Sequence, residues 1–124
     1  HDQGGGDFKS RHVYFRPVRL RRDKKRVLAL TEFGGYSLPV AGHVSSEKKF
    51  GYRMYETEDE LLEAVERLYL GEVAPCVKRQ GLSAAVYTQL SDVEDEVNGI
   101  LTYDRRVLKM EPSRLRVIHR GLRF

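Results

Sequence analysis

Cysteine is almost absent from this 124-residue chain, which contains only Cys76. A single cysteine excludes an internal disulfide framework. Its apolar neighbours in the stretch VAPCV favour a buried packing thiol, whereas no local pattern supports a cysteine nucleophile with histidine and aspartate partners. His43 and His119 show no metal-ligand spacing with this cysteine or with each other, so no metal site is predicted.

Long hydrophobic runs are missing as well. Every apolar stretch is interrupted within a few residues, which excludes a membrane-spanning helix in this sequence. The first ten residues, HDQGGGDFKS, begin without methionine and contain neither an apolar signal core nor a cleavage-site pattern. We therefore expect the chain to be a piece of a longer protein. The sequence does not fix the cellular compartment, with the cytoplasm slightly favoured.

Positive charge is concentrated in one short stretch of the chain. The net charge is +4, and residues 16–26 (RPVRLRRDKKR) contain seven basic residues against one aspartate. Such a run is typical of a solvated connector between core elements or of a phosphate-binding patch. No aromatic residue interleaves it, as a single-strand binding platform would need, so nucleic acid is the less favoured partner. A module that holds an anionic polymer through this stretch stays open as an alternative function.

The apolar pattern predicts an α/β domain. We expect parallel strands at 11–15, 26–33 and 82–90, and helices at 57–80 and 112–120. Thr57 and Glu60 have capping-box spacing at the start of the first helix, which Gly71 and Pro75 should bend or split.

The segments between these elements are less regular. The stretch 34–55 holds no period and is predicted to be a long loop, and the acidic stretch that follows residue 90 should turn at Asn98 and Gly99. The connector after the first strand has only Val18 and Leu20 as apolar residues, so it is either a degenerate crossover helix or a basic loop. In parallel sheets ligands bind at the carboxyl ends of the strands, and Glu32 lies at one of them.

Three blocks of the sequence resemble a known family. HDQGGGDFKSRHVYF, VLALTEFGGYSLPVAGH and GLSAAVYTQLSDVEDEVNGILTYDRRVLK are similar, in this order, to the end of the catalytic barrel in glycoside hydrolase family two, which includes β-galactosidases and β-glucuronidases. The resemblance extends from His1 to about Lys109. It implies that residues 1–124 are a single fragment of a TIM barrel, covering strands six to eight of a (β/α)8 fold that normally takes about 250 residues.

The resemblance also implies a partial active site. Glu32 matches the nucleophile of a retaining β-glycosidase, a reaction that uses two carboxyl groups and no cofactor. Tyr14 matches an aromatic hydroxyl near that nucleophile, while Gln89 and Tyr87 occupy the end of strand eight, where a sugar-facing residue is expected. His12 is either a further sugar contact or an ordinary surface or core histidine. The glycines after Glu32 would let the backbone turn away and leave room for substrate.

The second carboxyl group of the family is missing from this chain. In the family it follows an asparagine, but the single asparagine here, Asn98, precedes Gly99. Four acids after the third strand could approach the site without matching the acid/base position, namely Asp92, Glu94, Asp95 and Glu96. Their spacing lacks the pattern of a calcium loop, so we expect solvated side chains. The isolated chain should therefore be inactive or nearly so. Its expected partners are a β-glycoside and the remainder of the barrel, with a non-catalytic interaction module as a further alternative.

Overall fold

The computed structural model describes residues 2–124 and shows a small α/β domain with a three-stranded parallel sheet. The sheet contains β1 (Phe8–Val13), β2 (Val27–Gly34) and β5 (Leu82–Thr88), in that spatial order. The short strands β3 (Tyr36–Ser37) and β4 (Arg53–Met54) form a second parallel pair. Within the described chain the three-stranded sheet is open and does not close into a barrel. The predicted parallel α/β class is thus confirmed.

The first strand lies earlier in the chain than the predicted 11–15. Phe8 already pairs with Val27, whereas Tyr14 and Phe15 lie beyond the last strand residue. Phe15 has a φ of 58° and an exposed ring, so the backbone cannot continue the extended conformation there. The other two strands differ from 26–33 and 82–90 only at their ends.

A β-bulge changes which side chains of β2 face the same side of the sheet. Arg11 pairs with Leu30 and His12 with Glu32, so Thr31 is an extra residue relative to β1. The Thr31 hydroxyl lies 2.5 Å from the Ser10 hydroxyl, on the side of the sheet where His12 meets Glu32. Thr31 and Glu32 therefore share one face, which strict alternation forbids.

Helical structure runs from residue 58 to residue 80 in three parts. They are α1 (Glu58–Glu66), a π-helical segment (Arg67–Val73) and α2 (Ala74–Gln80). The predicted capping box is present, because Thr57 accepts from the Glu60 amide and the Glu60 carboxylate accepts from the Thr57 amide. The predicted interruption is present too. Pro75 cannot donate a backbone hydrogen bond and its ring would clash with the carbonyl of Gly71 in a regular α-helix, so the wider turn lies just before it.

The last helix, α3 (Pro112–Arg120), has the predicted bounds. No helix within residues 2–124 is long and apolar enough to cross a membrane. The connector from β1 to β2 contains no helix, which settles it as a basic loop. Val18 and Leu20 are its buried anchors, and the Glu72 carboxylate accepts from the Val18 amide at 2.6 Å.

The core lies between the helices and one face of the sheet. Its largest completely buried side chains include Leu30 and Phe33 from β2 and Leu61 and Leu62 from α1. Cys76 is buried beside the connector, as predicted.

The acidic stretch after β5 differs from the prediction. Asp92 is buried, and both of its oxygens accept from Lys109 Nζ, at 2.7 and 2.8 Å. The turn lies at residues 94–95, and Asn98 is completely buried. A buried lysine needs a carboxylate partner, and this requirement outweighs the solvation that we expected for Asp92.

Candidate active site

Glu32 lies at the carboxyl end of the central strand, with its side chain about half exposed at 47%. Its Oε2 atom accepts from the Tyr14 hydroxyl at 3.0 Å and lies 3.3 Å from His12 Nδ1. Within residues 2–124 no hydrogen bond reaches the other oxygen, Oε1. The half-exposed carboxylate is thus oriented by contacts to one of its two oxygens.

Tyr14 joins the ends of all three strands. Its hydroxyl contacts Glu32 on β2 and lies 2.7 Å from Thr88 Oγ1 at the end of β5, and Tyr14 itself directly follows β1. Partial burial raises the pKa of Tyr14, the Thr88 hydrogen bond opposes this effect, and the nearby Glu32 carboxylate adds to it. Tyr14 therefore keeps its proton at neutral pH and remains a hydrogen-bond donor to Glu32.

Four aromatic rings form a cluster beside Glu32, which we call the aromatic wall: Tyr14, Phe15, Phe50 and Tyr52. Tyr52 is at its centre. Its ring is stacked on Tyr14 with centroids 4.0 Å apart and planes 7° apart, and it contacts Phe15 and Phe50 at 5.1 and 5.6 Å. Such contacts fix the orientation of the Tyr14 ring and hence of its hydroxyl.

The glycines after Glu32 make room for aromatic rings of the protein itself. A Cβ atom at Gly35 would lie 2.2 Å from Tyr52 Cδ2, and one at Gly34 would lie 2.3 Å from Tyr87 Cε2. Both glycines also have positive φ, 89° and 66° for Gly34 and Gly35. The predicted backbone turn is thus present at these glycines, and rings of the chain itself lie where their Cβ atoms would be. The predicted room for substrate stays a prediction.

Tyr87 does not join the site. Its ring packs against Phe33 and Tyr69 in the core, on the face of the sheet opposite to Glu32, with centroids 5.7 and 6.1 Å away. Its hydroxyl is buried, and this burial raises the pKa of Tyr87. The strand position of Tyr87 suggested a sugar contact, but the pairing of β5 with β2 turns its side chain towards the helices.

Gln89 lies at the predicted strand end, after a cis peptide bond that joins it to Thr88. Its side-chain amide donates to Asn98 Oδ1 at 2.6 Å and to Glu96 Oε2 at 3.0 Å. Both amide hydrogens of Gln89 therefore bind the loop that follows, and Gln89 makes no hydrogen bond to Glu32 within the described residues.

Asp95, one of the acids in this loop, forms an ion pair with Lys48, with 3.6 Å between Oδ2 and Nζ.

The structure thus brings His12, Tyr14 and Glu32 together and leaves Tyr87 and Gln89 with other partners. A carboxylate that accepts from a tyrosine hydroxyl and lies beside an imidazole is suited to act as a nucleophile or an electrostatic stabiliser. Within the described residues, no second carboxyl group is hydrogen-bonded to Glu32 or Tyr14, and no three His, Cys, Asp or Glu side chains form a metal-binding group.

Sequence reasoning missed two residues of this site. Thr88 directly precedes Gln89, and its position at the end of the neighbouring strand could have indicated it. Tyr52 lies in the stretch without a period, where no local signal distinguishes it. No protein-family model matches this chain, and no curated protein matches it in sequence. The resemblance to glycoside hydrolase family two therefore stays a prediction.

Proposed function

We propose that this chain is part of a retaining β-glycoside hydrolase and carries the nucleophile half of the active site. The observation that supports this most directly is the environment of Glu32. One oxygen is held by Tyr14 and His12, while no hydrogen bond from the described residues reaches the other. A nucleophile that must attack an anomeric carbon needs this combination of a fixed orientation and an accessible oxygen.

The open sheet supports the proposal that the chain belongs to a (β/α)8 barrel. Sequential parallel strands with Glu32 at a carboxyl end are the arrangement of barrel enzymes. Within the described residues the outer edges of β1 and β5 pair with no further strand, and the side chains of Phe8 and Val86 are 59% and 56% exposed. Further barrel strands would pair with these edges and cover these side chains.

The missing acid/base group defines the reaction that the chain should still perform. Departure of a dinitrophenolate needs no proton, whereas departure of an alkoxide does. A nucleophile without a general acid should therefore accept a glycosyl group only from an activated glycoside. Without a general base for the second step, the glycosyl ester should then persist.

The test is to incubate the chain at high concentration with dinitrophenyl β-galactoside or β-glucuronide and to follow intact mass. We expect one glycosyl group per chain, located at Glu32 by peptide mapping, and no hydrolysis of alkyl glycosides. Glu32→Gln should abolish the label. Glu66→Gln, an exposed glutamate on α1, should retain it and serves as the matched control.

Two outcomes would contradict this proposal. Labelling that persists in Glu32→Gln would remove the nucleophile role. Turnover of unactivated glycosides that depends on Glu32 would show that a complete acid/base pair is present, contrary to an incomplete site.

A further inference from the structure

A groove lined by basic side chains lies between β1 and the connector that follows it. Two adjoining clefts of about 200 and 430 Å³ share Arg11 and Arg19. Lys9 and Arg21 also line the first, and Arg16 lines the second. We call these five side chains and the space between them the basic groove. It lies on the helix-facing side of β1, because Lys9 and Arg11 pair with Leu28 and Leu30, whose side chains are buried in the core.

The charges of the basic groove are largely uncompensated. Lys9 lies 3.4 Å from Asp23. By contrast, the guanidinium groups of Arg11, Arg16, Arg19 and Arg21 form no hydrogen bond or ion pair with any residue in the described range. Four guanidinium groups without carboxylate partners repel one another, and a polyanion bound in the groove would reduce that repulsion.

The burial pattern of the connector places two of these cations on its exposed side. Val18 and Leu20 are buried, whereas Arg19 and Arg21 on the alternate positions are exposed. Several guanidinium groups on one surface match a polymer that carries acidic groups along its length, and each guanidinium can bind a sulfate or carboxylate through two hydrogen bonds.

The apolar residues that line the basic groove indicate which class of acidic polymer it can bind. They are aliphatic, with Leu20 and Leu28 in the first cleft and Val13 and Pro17 in the second. No aromatic side chain lines either cleft, so bases of a single-stranded nucleic acid would find no stacking surface. The cations come from one face of β1 and from a loop, whereas reading the major groove of DNA requires an inserted helix or two-stranded ribbon.

We propose that the basic groove binds an acidic polysaccharide. Its sulfate or carboxylate groups pair with the arginines, and the C–H face of a sugar ring lies on Pro17, the exposed apolar residue of the groove. This binding does not rest on the proposed hydrolase activity, because the basic groove lies on the opposite side of β1 from Glu32 and shares no residue with it.

The test is to measure the affinity of the complete chain for heparin, polygalacturonate and oligo-dT, matched in charge, at several salt concentrations. Heparin and polygalacturonate distinguish sulfate from carboxylate as the bound group, and binding of either supports the proposal. Oligo-dT should bind at least tenfold more weakly than the better polysaccharide.

Variants then locate the site. Arg19→Gln/Arg21→Gln should weaken polysaccharide binding at least tenfold and reduce the magnitude of the slope of log affinity against log salt by about 1.4–1.8, because two cationic contacts are lost. Arg116→Gln/Arg120→Gln removes the same charge from exposed positions on α3 and should change affinity less than twofold. Equal losses in the two double variants, tighter binding of oligo-dT, or no binding of either polysaccharide would each overturn the proposal. Labelling of Glu32 by activated glycosides should be unchanged in both double variants.

Discussion

The buried ion pair between Asp92 and Lys109 provides a quantitative test of how the chain after β5 is held. Lys109 Nζ donates to both oxygens of Asp92 and, at 3.0 Å, to the carbonyl of Val97. The two side chains are 0% and 2% exposed for lysine and aspartate, respectively. Burial lowers the pKa of Lys109, and the Asp92 carboxylate counteracts this effect. Neither charge has access to water if the other is removed.

The expected effect of Lys109→Met follows from that isolation. Breaking a completely buried pair leaves one uncompensated charge and costs about 3–5 kcal/mol. A domain of this size has a free energy of unfolding of about 5–15 kcal/mol. The variant should therefore be strongly destabilised, and Asp92→Asn should be destabilised in the same direction because it leaves the Lys109 ammonium without its anion.

The double variant Asp92→Leu/Lys109→Met distinguishes the cost of an unpaired buried charge from the cost of the other hydrogen bonds that the pair makes. It removes both charges, but the Gly99 amide loses its acceptor on Asp92, which it now contacts at 2.7 Å. That unsatisfied donor should cost about 1–3 kcal/mol. We therefore expect the double variant to be more stable than Lys109→Met alone.

Urea denaturation followed by circular dichroism measures these differences through the midpoint and slope of each transition. A loss below about 1 kcal/mol in Lys109→Met would refute the assigned burial, because surface ion pairs contribute only that much. Strictly additive losses in Asp92→Leu, Lys109→Met and their double variant would refute the direct pairing.

Three further predictions concern the site and its surroundings. Gly34→Ala should destabilise the fold by about 1–3 kcal/mol more than Gly42→Ala, as measured by urea denaturation. Both glycines have positive φ, but only at Gly34 would an added Cβ atom collide with another residue, the ring of Tyr87. Burial raises the pKa values of Tyr14 and Tyr87. The stability that the protonated hydroxyls contribute is therefore complete below about pH 10 and should be lost as the pH rises above it. The free energy of unfolding, measured between about pH 9 and 12 together with tyrosinate absorbance, checks this. The hydroxyl of Thr102, and to a smaller extent His43, lower the pKa of Asp104 to about 2. The stabilisation from the ionised carboxylate is present above about pH 4 and lost as the pH falls towards 2. Asp104→Asn should therefore flatten the dependence of the free energy of unfolding on pH in this range.

The sequence by itself determined the local features of the fold. The start of α1 follows from Thr57 and Glu60, whose side chains satisfy the first free amides of any helix with this spacing. The change of helical pitch follows from Pro75, whose missing N–H is a property of the residue. The parallel pairing of β2 with β5 follows from the helical stretch between them, because parallel strands need long connections. The position of Glu32 at a strand end was determined in the same way.

The tertiary structure decided which side chains meet at the site. The bulge at Thr31 turns two consecutive residues of β2 to one face, and no local pattern encodes this departure from alternation. The pairing of β5 with β2 sends Tyr87 into the core and Thr88 to Tyr14, 74 residues away in sequence. These contacts join residues that are remote in sequence, so they depend on strand register and loop closure. Local propensity cannot specify either, because both are set by how the complete chain buries its apolar surface.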